Sequence, residues 1–566
     1  MSVDRFARLT ALFSLLFLLA ACSPPQSSSN TSNAELGVVT EDSGTAAIAM
    51  PDSYAATVAN EVLAAGGNAV DAAVAVGFSL AVTYPEAGNI GGGGFMLVRM
   101  DGEDSFIDYR EKAPAAADRD MYLDEDGNVI ENASLYGHLA VGVPGTVAGM
   151  WEAHKRFGTL PWASLLQPAI ELATEGFVVP DSLGSGMKSM QEEFAGRTNF
   201  AEHYGGMVEG AVFRQPELAA TLARIAAEGP DDFYRGETAR LIVEEMARGN
   251  GLITLQDLAD YSAVWREPLR TPWRGYEVVS APLPSSGGIA LVQLLKMKDY
   301  VDHHFEDQPH NSPQYIHLVA EIEKRVFADR GEFLGDPDFV PSRMAELTSD
   351  EYIERRALEV NPEAISMDVL PGANFDEHDT THYSILDQWG NAVSNTYTLN
   401  ISYGSGVVVT GGGFLLNNEM DDFSVKPGVP NTYGVVGSRA NAIEPGKRML
   451  SSMTPTILLK DDDVAMVIGT PGGSTIFTSV FQTIVNITDF GMTPADAVGA
   501  TRFHHQLLPP DVIVYSPGRP LPESTISALA DKGYRAIPNS WEFGDMQVIY
   551  VDGDDTVAAS DPRNRG

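Results

Sequence analysis

Cysteine is almost missing from this chain: Cys22 is the only one in 566 residues, so no disulfide can form within it or support its fold. Basic residues are scarce, with 37 lysines and arginines against 77 aspartates and glutamates and a formal charge of −40. That balance repels phosphate backbones and anionic headgroups and excludes nucleic acid as a partner. The acids are dispersed, which marks a solvated surface rather than an acidic binding block. No apolar run near the N-terminus can cross a bilayer, since the stretch from Ala11 to Ala21 falls short of the ~20 residues a spanning helix needs. Metal signatures are lacking too. The pairs His303-His304 and His504-His505 come without an HExxH or cysteine ligand pattern, and their rings should point apart on regular structure. The acidic runs 124–128 and 461–463 lack the spacing of a calcium loop and read as turns. The glycines at 91–94 are not followed by Gly-Lys-Ser/Thr, so they indicate close backbone packing and not a phosphate cradle. No metal and no cofactor is expected.

What is present begins with an export signal. Residues 1–21 carry Arg5 and Arg8 ahead of the apolar stretch and have the shape of a secretory signal peptide. Cys22 follows Leu19-Ala20-Ala21 directly, a junction that resembles the lipobox of bacterial lipoproteins, where the cysteine is acylated and becomes the mature N-terminus. Residues 23–33 lack core formers, and 22–36 read as a tether. A coil of that length spans on the order of 20 Å. The expectation is an exported lipoprotein on the periplasmic face of a membrane, with Ser23 leaning towards the outer membrane.

The body from residue 37 onward can bury a large core, since 44% of the chain is hydrophobic. Helical spacing runs from Ala46 to Ala65 with Gly66-Gly67 as the stop, and Asn68 reads as the N-cap of a second helix through Val82. Further helical stretches fall at 147–156, 165–175, 217–227, 238–248 and 313–330. Strand composition marks 95–108, 278–279, 383–386, 392–399 and 464–468. The pattern permits a mixed α/β or α+β body.

Deep inside the chain lies Asp379-Thr380-Thr381-His382-Tyr383-Ser384. A threonine hydroxyl is a weak nucleophile without a base beside it. Cleavage between Asp379 and Thr380 would give Thr380 a free α-amino group with a pKa of about 8, so that nucleophile and base share one residue.

With the blocks at 66–73, 91–96, 108–111, 284–288, 417–424, 450–453 and 471–474 in the same order, the chain from about Gly37 to its end resembles the γ-glutamyltranspeptidases, which are self-cleaving N-terminal-nucleophile hydrolases. The resemblance implies an α+β, four-layer αββα sandwich that combines strands from both sides of the cut. It implies a large subunit 37–379 and a small catalytic subunit 380–566, held together as a heterodimer. The substrate would be glutathione or another γ-glutamyl compound, and the acyl group would pass to water or to an amino acid or dipeptide. Arg110, with Ser451 and Ser452, would bind the α-carboxylate of the glutamyl head, while Glu419, Asp422 and Asn400 would hold its ammonium. Backbone amides at Gly472 and Gly473 would stabilise the oxyanion, and Thr398 would bond the Thr380 hydroxyl or amine. The run 426–437 matches a lid loop in which Tyr433 would bridge to Asn400. A related acylase acting on glutaryl side chains of β-lactams is the alternative, and Asp422 argues against it. A catalytically silent lipoprotein is the third, which intact Thr380, Thr398 and Arg110 disfavour.

Overall fold

The computed structural model describes residues 46–367, 369, 380–426, 428–429, 431–432, 434–435 and 437–563. The expected signal and tether, Cys22, Asp379 and Tyr433 lie outside the described residues. All described residues belong to one compact unit, Gly37–Gly566.

Two six-stranded sheets organise that unit. The first runs in the order Ala47–Ala49, Thr381–Leu386, Ala392–Thr398, Gly93–Met100, Glu103–Tyr109, Val264–Arg266, and every neighbour is antiparallel. The second runs Asp555–Ser560, Gln547–Asp552, Asp463–Gly469, Thr456–Lys460, Tyr276–Ser280, Leu269–Trp273, also antiparallel throughout. Each sheet therefore takes strands from both sides of Thr380.

Side-chain alternation sets the layers. Along Thr381–Leu386, Tyr383 and Ile385 join a core with the helices, and the Tyr383 hydroxyl donates to the Ala73 carbonyl at 2.9 Å. His382 and Ser384 face the other way, into the gap between the sheets. There Phe95, Leu97 and Phe106 of the first sheet pack against Val279, Ile457 and Val467 of the second. Helices Ser53–Ala64 and Ala69–Thr83 cover the first sheet, and Gly287–Tyr300, Pro313–Phe333 and Ile476–Thr488 cover the second. The order helix, sheet, sheet, helix is the αββα sandwich.

The helix Ala69–Thr83 shows why the local sequence folds as it does. Asn68 accepts from the N–H groups of Val70 and Asp71, and the Asp71 carboxylate accepts from the Asn68 N–H. That reciprocal cap satisfies donors that a helix leaves orphaned. All fifteen residues of this helix are buried, and each large apolar side chain contributes about 1.5–3 kcal/mol of burial.

Three sequence expectations are corrected. Ala46 does not open the first helix: Ala47–Ala49 is an edge strand on Ile385 and its neighbours, and the helix starts at Ser53 behind Pro51 and the N-cap Asp52. The stretch 95–108 is a hairpin of two strands, turned at Asp101-Gly102, where both residues have positive φ. The rings of His303 and His304 do not point apart. They lie 4.0 Å from each other because a short 3-10 turn, not a strand or helix, carries them.

Candidate active site

Strand ends bring the candidate catalytic residues together. Thr380 precedes the strand Thr381–Leu386 and Thr398 ends the strand Ala392–Thr398; the last paired residues are Thr381 and Tyr397, so the two threonines meet just beyond the ladder. Their hydroxyls are 3.3 Å apart, and the Thr398 oxygen also accepts from the Asn400 N–H at 2.7 Å. Arg110 follows the strand Glu103–Tyr109, which lies one strand beyond Ala392–Thr398 across Gly93–Met100, and leaves it at the same end. Behind Thr398, Gly92 is obligatory, since a Cβ there would sit 2.0 Å from the Thr398 carbonyl oxygen.

Thr380 and Thr398 line a small cavity together with Arg110, Glu419, Asp422, Ser451, Ser452 and Gly473. Eight of the sequence-predicted residues thus share one cavity. Gly472 is next to it and is not among the lining residues. Asn400 is buried behind the wall, donating through Nδ2 to the Asn418 carbonyl at 3.1 Å. Asp379, Tyr433 and Cys22, expected to form the cut site, the lid contact and the lipid anchor, lie outside the described residues.

One wall of the cavity is charged. The Arg110 guanidinium is fully buried and bonds Glu419 through Nη1 and Asp422 through Nη2, with Glu111 at 3.6 Å. Burial alone would lower the Arg110 pKa, but the carboxylates of Glu419, Asp422 and Glu111 outweigh it and raise it above the ordinary arginine value. Burial also pushes the carboxyl of Glu111 up to about 7, against the pull of Arg110. Glu419 and Asp422 move in the same direction for the same reason. The Ser451 oxygen accepts from the Met453 N–H at 3.1 Å, which leaves its O–H free to donate.

The lining contributed by Thr380, Thr398 and Gly473 is uncharged. His382, two residues along from Thr380 and not itself a lining residue, has its ring nitrogens 2.8 Å from Thr396 Oγ1 and 3.1 Å from Ser384 Oγ, and burial drives its pKa down to about 3. It is an uncharged imidazole within the strand pair, so Thr380 has no charged base on that side.

Sequence reasoning missed Arg330. It lines the same cavity and donates to Ser286 Oγ at 2.9 Å and Ser452 Oγ at 3.0 Å, and burial lowers it to about 10. Only the structure shows the signal: the helix Pro313–Phe333 buries Glu321, Glu323, Lys324, Arg325, Asp329 and Arg330, far more charge than a core-facing helix ordinarily carries. Also missed was the bonding of the 426–437 loop. Asn431 donates to Asp422 at 3.2 Å and the Thr432 N–H to Asp421 at 2.9 Å.

Against known proteins, the model of the gamma-glutamyltranspeptidase family matches residues 55–566. The chain belongs to the γ-glutamyltranspeptidase family. It is 58% identical over 520 residues, 92% of this chain and 93% of the relative, to a glutathione hydrolase proenzyme of Pseudomonas aeruginosa. A solved gamma-glutamyltranspeptidase from Pseudomonas nitroreducens, complexed with L-DON, is 57% identical with a TM-score of 0.57 over 59% of this chain and 99% of that one. A cephalosporin acylase from Bacillus halodurans superposes with a TM-score of 0.81 at 27% identity, covering 96% of this chain and 98% of that one. The family and the four-layer fold agree with what the motifs implied.

Proposed function

We propose that this member of the γ-glutamyltranspeptidase family is a glutathione hydrolase and γ-glutamyltransferase that matures by cutting itself between Asp379 and Thr380. The observation that carries the proposal is the single cavity in which the Thr380 hydroxyl, 3.3 Å from that of Thr398, faces the Arg110, Glu419 and Asp422 cluster. In maturation the Thr380 hydroxyl attacks the Asp379 carbonyl, forms an ester by an N-to-O shift, and water opens it. In turnover the freed α-amine takes the hydroxyl proton, the oxygen attacks the γ-carbonyl, and the Gly473 N–H stabilises the oxyanion. The amine of the leaving group departs with the proton. Water or the amine of an amino acid or dipeptide then releases the γ-glutamyl group from Thr380. Arg110 with Ser451 and Ser452 takes the α-carboxylate, and Glu419 with Asp422 takes the ammonium, a match of charge that also satisfies the buried acids.

Arg110 and Arg330 precede the cut and the remaining lining residues follow it. That division supports two subunits, 37–379 and 380–566, that function only as one body. Intact mass with N-terminal sequencing tests maturation: a fragment beginning at Thr380 is the expected result, and a single uncut chain that still turns over substrate contradicts it. The signal, the Leu-Ala-Ala-Cys junction and the tether support attachment to a membrane through Cys22, on the periplasmic side. Fractionation of wild type and Cys22→Ala checks this, and equal recovery in the soluble fraction sinks it.

The likeness to a cephalosporin acylase favours a second reading, in which the side chain removed is a glutaryl group. That substrate lacks an ammonium and would leave Glu419 and Asp422 without a role beyond Arg110.

A further inference from the structure

The Gly472 carbonyl receives two hydrogen bonds from one residue, the Thr475 N–H at 2.9 Å and the Thr475 hydroxyl at 2.8 Å. A trans peptide sets its C=O and N–H antiparallel. Fixing the Gly472 oxygen on Thr475 therefore turns the Gly473 N–H to the other side. Gly473 lines the cavity of Thr380 and Thr475 does not, so the other side is the reacting side.

The peptide needs such a lock. Gly472 and Gly473 have φ of +127° and +52°, and neither carries a Cβ that would resist rotation of the plane between them. The Thr475 oxygen lies against this turn so closely that a Cβ on Gly472 would be 2.7 Å from it. Thr475 is itself held in place at the start of the helix Ile476–Thr488. On its N-terminal side the Ser474 hydroxyl donates to Gln506 Oε1, which His504 Nε2 also reaches at 3.1 Å.

We propose that Thr475 is a positioning residue for acyl transfer, whose hydroxyl keeps the Gly472–Gly473 peptide with its N–H aimed at the developing oxyanion. The proposal rests on the reading above in which the Gly473 N–H stabilises that oxyanion. Such a donor is worth about 10²–10³ in kcat when removed outright, and one of two supports for it should be worth less.

The test uses the processed enzyme with Thr475→Val, which keeps the shape and removes the hydroxyl, and Thr475→Ser, which keeps the hydroxyl. The readouts are kcat and KM on a γ-glutamyl anilide, the affinity of a γ-boronate analogue of glutamate, and the affinity of L-glutamate. The boronate forms a tetrahedral adduct on Thr380 that places an oxygen where the oxyanion forms, whereas L-glutamate occupies only the head pocket. For Thr475→Val, kcat and boronate affinity are expected to fall together by about 10- to 100-fold, with KM and L-glutamate affinity within threefold of wild type. Thr475→Ser should recover kcat to within about threefold. Unchanged kcat in Thr475→Val overturns the proposal, as does an equal loss of boronate and L-glutamate affinity, which a merely structural role would give. Thr475→Ala is held to the same outcomes if valine is not accommodated. A wild type that binds both ligands but does not turn over the anilide overturns the underlying reading instead.

Discussion

The two walls of the cavity are built from opposite materials. One is a buried ionic cluster of Arg110 with Glu419 and Asp422; the other is uncharged, made of the Thr380 and Thr398 hydroxyls and the Gly473 turn. In the proposed function, charge serves recognition, where a zwitterionic head must be told from its neutral analogues, and hydrogen bonds serve reaction, where a threonine that carries its own amine needs orientation more than a field. Each wall should therefore fail differently when altered.

The largest effect belongs to the neutral wall. Thr380→Ala should remain one uncut chain without measurable turnover, because maturation and catalysis share that hydroxyl, and two normal fragments on a denaturing gel would break the comparison. Arg110→Leu should mature normally, since the cut site carries no glutamyl head. It should lose about 2–5 kcal/mol in kcat/KM for glutathione, the scale for removing one member of a desolvated charge pair. Loss of processing in Arg110→Leu would show that the two walls are not separable.

Thr398→Val sharpens the division from the other side. Its hydroxyl contacts Thr380 at 3.3 Å and receives the Asn400 N–H, so processing and kcat should both slow by about 10- to 100-fold, the contribution of one positioned hydrogen bond in a proton-transfer step. KM should stay within about threefold, and a change confined to KM would move Thr398 to the recognition wall.

Much of this was legible in the sequence, and unevenly. The Thr380 block is a short strand with a polar inward face, and its alternation is plain once His382 and Ser384 are seen to oppose Thr396 and Ser394. The ion cluster could be named but not drawn, because nothing in the spacing of Arg110 and Asp422 tells that the acids assigned to the ammonium pair with the guanidinium assigned to the carboxylate. Arg330 escaped because it sits in a long helix whose charges look like a solvated face until the burial is known. The helices Gly287–Tyr300 and Ile476–Thr488 were missed beside the glycine pairs of their N-terminal turns, where a stop signal for one element is the start of another.

The smallest effect concerns pH. Burial raises the folded-state pKa of Glu111 from 4.5 to about 7, so the native chain holds a proton there that the unfolded chain gives up. Its contribution is present in full below about pH 4.5 and is lost as pH rises through 7. Thr380→Ala/Glu111→Gln, compared with Thr380→Ala alone to keep the chain uncut, should show a melting temperature that gains on its parent between pH 5 and 8. A difference that does not depend on pH would mean that Glu111 is ionised throughout.

The central claim is that the charged wall reads the ammonium of a γ-glutamyl donor. The direct measurement is kcat/KM for a γ-glutamyl anilide against the matching glutaryl anilide, which lacks only that ammonium, in wild type and in Asp422→Ala. The account predicts a preference for the γ-glutamyl compound of about 30-fold or more, from the ~2 kcal/mol lower bound for an unpaired buried charge, and its collapse in Asp422→Ala. Equal rates on both compounds in the wild type, unchanged by Asp422→Ala, would contradict it.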